Sequence, residues 1–303
     1  MNSLLVIVVT YNAMPWAERC FNSLKNSSIA NDIFVIDNGS TDGTQAYVRQ
    51  NIPSAIFVQS EKNLGFGSAN NEGLKYALAH GYDYVYLLNQ DAWVMPDTFE
   101  KLIQIHKNHP EFGVLSPMQM DGSGRRFDKN FRDFISKYKQ TFNSPLIDDL
   151  YFNDLKDVYE VDFVMAAHWL ISSQCLRITG GFSPAFHHYG EDDNYIHRIC
   201  FHKFKVGIVP TAKAIHDRGN RKMSKQKKLF FISYISWLVS LSNPNNANGM
   251  LILIALLKDG LSKAFFMHSF APIKYCGEFL VNYRKIRRIR KKSMQEKCAF
   301  LQT

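Results

Sequence analysis

At 303 residues and 46% hydrophobic content, the chain can fold one large domain with an appendage or two small domains, and disorder as its main state is excluded. The formal charge of +9 is uneven: residues 1–216 carry 19 Lys and Arg against 23 Asp and Glu, whereas 217–303 carry 17 against 4. The first two thirds therefore read as an ordinary soluble enzyme, and the basic tail implies an anionic partner, membrane lipid or nucleic acid.

The opening MNSLLVIVV has no basic segment ahead of its short apolar run, so no signal peptide is expected and the reading is a cytoplasmic protein. Five scattered cysteines, without CxxC or zinc-finger spacing, fit free thiols in a reducing compartment. Three β-branched runs, Leu4–Val9, Ile33–Ile36 and Ala55–Val58, predict strands. Between them, apolar residues at Trp16, Cys20, Phe21 and Leu24, and again at Thr44, Tyr47 and Val48, predict helices. A helix over Ser68–His80 and a strand over Tyr84–Leu88 continue the alternation, which is the signature of a parallel sheet with right-handed crossovers. Polar and turn residues gather after the strands at Thr10–Asn12, Asp37–Gly43 and Asn89–Asp91, and in an open α/β sheet these clusters converge on one crevice.

Residues 121–160 are polar and weakly periodic and read as an excursion away from the core. Strands are expected again over Val161–Ser172 and Val206–Val209, with a helix over Asp192–His202. Beyond Asp217 comes the basic run RGNRKMSKQKK, then apolar stretches Leu229–Leu241 and Met250–Leu257, then YRKIRRIRKK (Tyr283 to Lys292). Each stretch falls short of the ~20 residues that cross a bilayer. They predict two helices at a membrane surface with a basic end facing lipid phosphates; helices that cap the domain or form a homodimer contact are the alternative.

Four motifs carry chemistry. In VIDNGSTDGT (Val35 to Thr44) a strand ends in Asp37, Asn38 and Gly39: the carboxylate can accept from a base imide or ribose hydroxyl, and the turn admits a flat ring. A plain strand-turn-helix junction would look similar on its own. NLGFGSANNEGL (Asn63 to Leu74) places Gly65 and Gly67 before a helix, with Asn63 and Asn70 available for polar contacts. The first strand lacks a following G-x-G-x-x-G, which disfavours a dehydrogenase.

LLNQDAWV (Leu87 to Val94) sets Asp91 beyond a buried strand, where a carboxylate suits Mg²⁺ or Mn²⁺ completed by substrate phosphates; His216, after the last predicted strand, can add a nitrogen ligand. Finally, Glu191, Asp192 and Asp193 crowd three acids together, which raises at least one pKa toward neutrality, as a general base requires. The same acids could serve only to complement a helix N-terminus.

VTYN, VIDNGSTDGT, NLGFGSANNEG, LLNQD, the GGF–EDD pair and His216, in that order over about Leu4–Arg218, resemble family 2 glycosyltransferases, most closely the rhamnosyltransferase-like branch. The resemblance implies an α/β GT-A fold, a Rossmann-like nucleotide-diphospho-sugar transferase fold, here with a C-terminal helical, basic extension. Residues 1–110 would be the nucleotide-sugar-binding half, 111–220 the acceptor-binding and catalytic half of the same domain, and 221–303 the membrane-surface tail. Asp37 would bind the base, with Thr10, Tyr11, Asn12, Asn38, Gly39, Asn63, Gly65, Gly67, Asn70 and Gln90 around the donor.

Asp91 would be the surviving acid of a DxD-type metal motif and Asp192, with Glu191 next to it, the catalytic base. Asn89 stands in place of the first DxD acid, and Asn194 where many relatives of this branch carry another Asp. The function implied is inverting transfer of a sugar, hexosyl or rhamnosyl, from a nucleotide-diphosphate donor to a hydroxyl of a glycan or lipid-linked acceptor in cell-surface polysaccharide assembly, at the inner face of the plasma membrane, with no nucleic-acid partner. His168, Trp169 and Tyr189 are candidates for the acceptor path. A metal-dependent nucleotidyltransferase would want a phosphate loop after the first strand, which TYNAMPW does not supply. A non-catalytic membrane-associated binding module would not need the acidic trio, and a glycosidase has no use for a nucleotide pocket.

Overall fold

In the computed structural model of the chain, residues 3–137, 146–218, 224, 228–229, 231–246, 249–266, 268–295 and 297–301 are described. Most of the basic run after Arg218 and the centre of the 121–160 excursion lie outside them.

β1 (Leu4–Thr10) is apolar along its length because it is flanked on both sides by parallel neighbours, β2 (Asp32–Asp37) and β4 (Tyr84–Asn89), and covered on both faces. Leu5 and Ile7 point to one core layer, beneath Ala69, Leu74 and Ala77 of α3 (Phe66–Ala79). Leu4, Val6 and Val8 point to the other, beneath Ala17, Cys20, Phe21 and Leu24 of α1 (Met14–Lys25) and Val48 of α2 (Thr44–Asn51). β3 (Ile56–Gln59) closes the edge beside β2. These elements confirm the predicted alternation to within two residues at each boundary.

The second half extends the same sheet with mixed polarity. β5 (Ala92–Val94) and α4 (Thr98–Asn108) lead into β6 (Phe112–Met120); α5 (Lys129–Lys137), α6 (Leu146–Phe152) and the two-residue β7 (Tyr159–Glu160) follow. Then come β8 (His168–Ser172), α7 (Ser173–Thr179), α8 (Glu191–Phe201) and β9 (Lys205–His216). The strand order is β3-β2-β1-β4-β8-β6-β9-β5, with β7 on β9; β8 runs antiparallel to β4 and β6, and β5 antiparallel to β9. Two expectations are corrected. Val161–Ser172 is not one strand: only His168–Ser172 pairs. The 121–160 excursion belongs partly to the core, because Phe131, Phe134, Ile135, Leu146 and Tyr159 pack into the layer that holds Trp169 and Val206.

Beyond Arg218, a π-helical turn (Phe231–Ile235) runs into α9 (Ser236–Ser242), followed by α10 (Gly249–Phe266) and α11 (Ala271–Ser293). Trp237, Leu238, Leu241, Leu253, Cys276 and Phe279 form a third apolar cluster that includes Phe186, from the loop ahead of α8. The chain then returns to the main domain: Gly181 N–H donates to the Ala299 carbonyl at 2.8 Å, and Leu301 is buried in the main core. The tail thus seals the domain behind α8. Among the described residues no helix is long and apolar enough to cross a membrane.

Candidate functional site

Strand register sets the site. Thr10 pairs with Asp37 and Val9 with Asn89, so the carboxyl ends of β1, β2 and β4 share one level. Asp37 is fully buried and acts as a hub: Thr10 Oγ1 (2.8 Å) and Ser40 Oγ (2.5 Å) donate to one oxygen, and Ser40 N–H (2.8 Å) and Gln45 Nε2 (3.0 Å) donate to the other. Those four donors fill the lone-pair sites of a carboxylate, so Asp37 shapes the pocket wall in this state. A base can reach it only by replacing one of them.

The neighbouring loop is fixed by similar pairs. Gln90 Oε1 accepts from Tyr11 N–H at 2.6 Å while its Nε2 donates to the Tyr11 carbonyl at 3.0 Å. Asn12, in the left-handed region at φ 52°, accepts from Thr41 N–H at 2.8 Å. Asn38 reaches across to Leu64 N–H and the Gly65 carbonyl, and Asn63 accepts from Gly65 N–H. Gly65 has φ +79°, and a Cβ there would sit 2.1 Å from the His187 carbonyl oxygen, so only glycine lets the two loops close. Gly67 lies against Phe182 in the same way, and Gly39 takes a positive-φ turn. Asn70 is buried, with its amide donating to the Phe66 carbonyl, and so stabilises α3 instead of facing the crevice.

Pairing of Ala92 with His216 brings β9's end beside Asp91. His216 Nε2 lies 3.5 Å from Asp91 Oδ1 and from Asn89 Nδ2, and both Asp91 and His216 are buried. Arg218 Nε donates to His216 Nδ1 at 3.2 Å and pairs with Asp128 Oδ2 at 3.3 Å. With Nδ1 accepting, the ring proton stands on Nε2, toward Asp91. Asn89 Oδ1 is buried without a hydrogen-bond partner. Two oxygen donors and one imidazole, one of the oxygens unpaired, fit a hard divalent cation that would draw its remaining ligands from phosphates. Among the described residues no group of three His, Cys, Asp or Glu is gathered for a metal; Asp91 and His216, with Asn89 beside them, are the residues there that could hold one.

α8 begins at the acidic trio. Glu191 is buried, its Oε2 has no hydrogen-bond partner, and burial, followed by the charge of Asp192, pushes its pKa up to about 8. Asp193 is held at about 7 by the same causes. Asp192 is half-buried. Burial raises its pKa too, opposed by backbone N–H donation, including that of Ala166, and by the Arg218 guanidinium. Arg218, hydrogen-bonded to His216, thus also acts on Asp192 through its charge. Neither Arg218 nor Asp128 stands out in the sequence; Asp128 also accepts from Phe131 N–H to cap α5, so the excursion delivers it to the site.

Gly190, at φ +80°, starts α8 with its Cα against Ile235 and Val239 of the tail, where a Cβ would come within 2.8 and 2.9 Å. Behind it Asn194 Nδ2 donates to Ser242 Oγ at 3.1 Å. Asn71, also unflagged in the sequence, exchanges two hydrogen bonds with the Phe182 backbone and fixes the GGF turn.

Two of the acceptor candidates are corrected. His168 is fully buried, its Nδ1 on Tyr86 Oη and its Nε2 on the Ile215 carbonyl, each at 2.9 Å; burial and then His216 bring its pKa down to about 3. Trp169 is fully buried, donates to the Val164 carbonyl and stacks on Phe182. Neither can touch an acceptor. Tyr189 is exposed, at φ 70° on the loop before Gly190.

Residues 5–166 match the family described as Glycosyl transferase family 2. The chain is similar to the N-acetylglucosaminyl-diphospho-decaprenol L-rhamnosyltransferase of Mycobacterium tuberculosis, 26% identical over 240 residues that span 72% of this chain and 76% of that protein. It is also similar to a low-salt glycan biosynthesis hexosyltransferase of Haloferax volcanii, 20% identical over 219 residues covering 72% and 68% of the two chains. The Staphylococcus aureus TarS structure in complex with UDP superposes with a TM-score of 0.57 at 17% identity, covering 96% of this chain and 80% of that one, a likeness that shows the fold.

Proposed function

The chain belongs to glycosyl transferase family 2 and is a nucleotide-sugar glycosyltransferase of GT-A fold; from that premise we propose that it moves a rhamnosyl or hexosyl group, with inversion, to a hydroxyl of a lipid-linked glycan. The observation that carries the reading is the pairing of Asp91 with His216 and of His216 with Arg218, whose positive charge in turn favours the ionised form of Asp192, so an anion-handling edge lies within electrostatic reach of a carboxylate base. The lipid-linked acceptor is supported by the 26% identical relative, whose name specifies a diphospho-decaprenol substrate.

Asp192 is the general base of this mechanism. It is open enough to meet the acceptor hydroxyl, and it is kept ionisable by the Ala166 N–H and Arg218 against the burial that protonates its neighbours. Glu191 and Asp193, holding their protons near neutrality, leave the negative charge of the trio on Asp192. The hydroxyl oxygen attacks the anomeric carbon as its proton passes to Asp192, and the bond to the diphosphate oxygen breaks on the opposite face, which inverts the centre without a covalent intermediate.

Asp91, His216 and Asn89 Oδ1 would hold Mg²⁺ or Mn²⁺; bound there, such an ion supplies charge neutralisation for the leaving diphosphate. Ligation through His216 Nε2 would place the ring proton on Nδ1, the atom that accepts from Arg218 here, so the Arg218 contact would bear on how His216 holds such an ion. Tyr11, clamped by Gln90, and the turn at Asn38 and Gly39 line the base and ribose side.

The test is a panel of nucleotide sugars with Mn²⁺, read as released nucleotide diphosphate, for the wild type and Asp192→Asn. The variant should lose about 10²–10⁴-fold in turnover while still binding nucleotide. Near-normal turnover would transfer the role to Glu191, and silence of the wild type across the whole panel would remove the reading.

A further inference from the structure

Among the described residues, the tail hairpin carries strongly exposed apolar side chains at its tip and a dense positive charge toward the far end of its second helix. α10 and α11 form a hairpin whose inner sides pack on Trp237 through Leu253, Cys276 and Phe279. At its tip Phe265, Phe266 and Phe270 are 75%, 76% and 86% exposed, and Leu261 lies one turn before Phe265. Along α11 the outward positions recur at helical spacing: Ile273, Gly277, Leu280 and Val281 nearest the tip, then Arg284, Arg287, Arg288 and Lys291. Ile273 to Lys291 spans about 27 Å at the helical rise, so one stripe passes from apolar to cationic over roughly the depth of a bilayer leaflet and its headgroups.

We propose that the α10–α11 hairpin is a wedge for an anionic bilayer, with the three phenylalanines entering the acyl boundary and Arg284, Lys285, Arg287, Arg288 and Lys291 meeting lipid phosphates. This deepens the lipid-linked acceptor reading and rests on it. Charge complementarity selects the occupant: a second copy of this chain on the same stripe would set the cationic halves against each other or against bare apolar surface, whereas an anionic leaflet satisfies both ends.

The wedge is joined to the chemistry through α9, whose Ser242 accepts from Asn194 of α8 and whose Val239 meets Gly190. A bilayer that seats the hairpin therefore also sets the distance of the acidic trio from the lipid surface. The expected basic cluster over residues 284–292 is smaller than its sequence suggests. Arg290 donates to the Asn246 carbonyl, and Lys292 lies 5.5 Å over the Phe300 ring, so both hold the tail together and are to be left intact in any test.

The experiment uses the full chain and sedimentation with vesicles of phosphatidylcholine alone or with about one third phosphatidylglycerol, alongside light scattering for oligomeric state. The wild type should partition onto anionic vesicles. Phe265→Ser/Phe266→Ser/Phe270→Ser should lower that partition about 1000-fold, at roughly tenfold per phenylalanine withdrawn from the boundary, with an unchanged melting temperature because none of the three is buried.

Replacing Arg284, Lys285, Arg287, Arg288 and Lys291 by Gln should remove on the order of fivefold per residue and abolish the salt sensitivity. Phe270→Ser alone, expected to lose about tenfold, decides the question if the triple variant does not fold. Binding by the phenylalanine variants equal to wild type overturns the wedge, as does a wild-type dimer that these variants dissociate without any change in vesicle binding. Nucleotide diphosphate release is measured separately without lipid. Transfer with no vesicle binding overturns the wedge and spares the transferase; vesicle binding with no transfer does the reverse.

Discussion

Glu191→Gln isolates the pH linkage stored at the start of α8. In the folded protein burial, reinforced by Asp192 and Asp193, holds the Glu191 proton up to about 8, whereas the unfolded chain releases it near 4.5. Between those values the folded state binds the extra proton. The associated stability is therefore fully present below pH 4.5 and is lost as pH rises through about 8, the reverse of a salt-bridged carboxylate. At about 1.4 kcal/mol per unit, the whole rise bounds the effect near ~5 kcal/mol, most of which falls between pH 5 and 8.

Relaxation of the neighbouring acids lowers what is realised to about 1–3 kcal/mol. Gln keeps the shape and cannot ionise, so urea unfolding at pH 5, 6, 7 and 8 should show the variant losing about 1–3 kcal/mol less than wild type across that range. Asp193, held near 7, titrates in both proteins, so the test is the difference between their profiles. Parallel profiles, within about 0.5 kcal/mol at every pH, would refute the assignment of a buried protonated Glu191.

Three further outcomes test the rest of the site. Asp91→Ala and His216→Ala should each weaken nucleotide diphosphate binding about 10-fold or more with Mn²⁺ and little in chelator, measured by calorimetry; equal loss in both conditions would point to a structural role. Arg218→Gln removes a cation that favours the ionised form of Asp192, so the acid limb of the pH–rate profile should move to higher pH. An unmoved limb would separate Arg218 from the base. Leu241→Ala, in the cluster that backs the Gly190 loop, should cost about 2–4 kcal/mol in stability and lower turnover with it, whereas loss of neither would mean that the tail is not part of the folded enzyme.

The first half of the fold was legible because parallel strands buried on both faces leave unbroken β-branched runs, as at Leu4–Val9 and Ile33–Ile36, separated by helices with clear apolar faces. The second half hides its strands for a physical reason. β6 contains Ser116, Pro117 and Gln119, and Pro117 and Met118 straddle a register shift against β9, so no alternation survives to be read. β9 carries Pro210 and an alternating solvent-facing end, which shortened its predicted extent to Val206–Val209. Phe131, Phe134 and Ile135 sat in a polar stretch whose amphipathic spacing is one short helix long, and their core role depends on a surface supplied by β6 and β8. His168 and Trp169 were misread because a polar atom on a strand looks available until the neighbouring carbonyls, at Ile215 and Val164, are placed around it.

The acidic trio ahead of α8 and the polar residues after β4 and β9 were visible in the sequence as residue types, but the group that stands near both was not. Arg218 follows the last strand by two positions, and Asp128 lies in an excursion with no motif; only the β6–β9 pairing brings the two within 3.3 Å. The same holds for the tail. Composition separates its charge from that of residues 1–216, yet cannot tell that Arg290 and Lys292 face inward while Arg287 and Arg288 face out, because that depends on which side of α11 meets α9 and the last residues. Once that side is known, the Gly190 turn has a physical explanation: it admits Ile235 and Val239 against the start of α8, so whatever surface holds the α10–α11 hairpin also bears on the carboxylates at the start of α8. On the proposed reading, lipid contact at the tail and proton transfer at Asp192 are joined through this packing, and a change at Gly190 larger than glycine should weaken both at once.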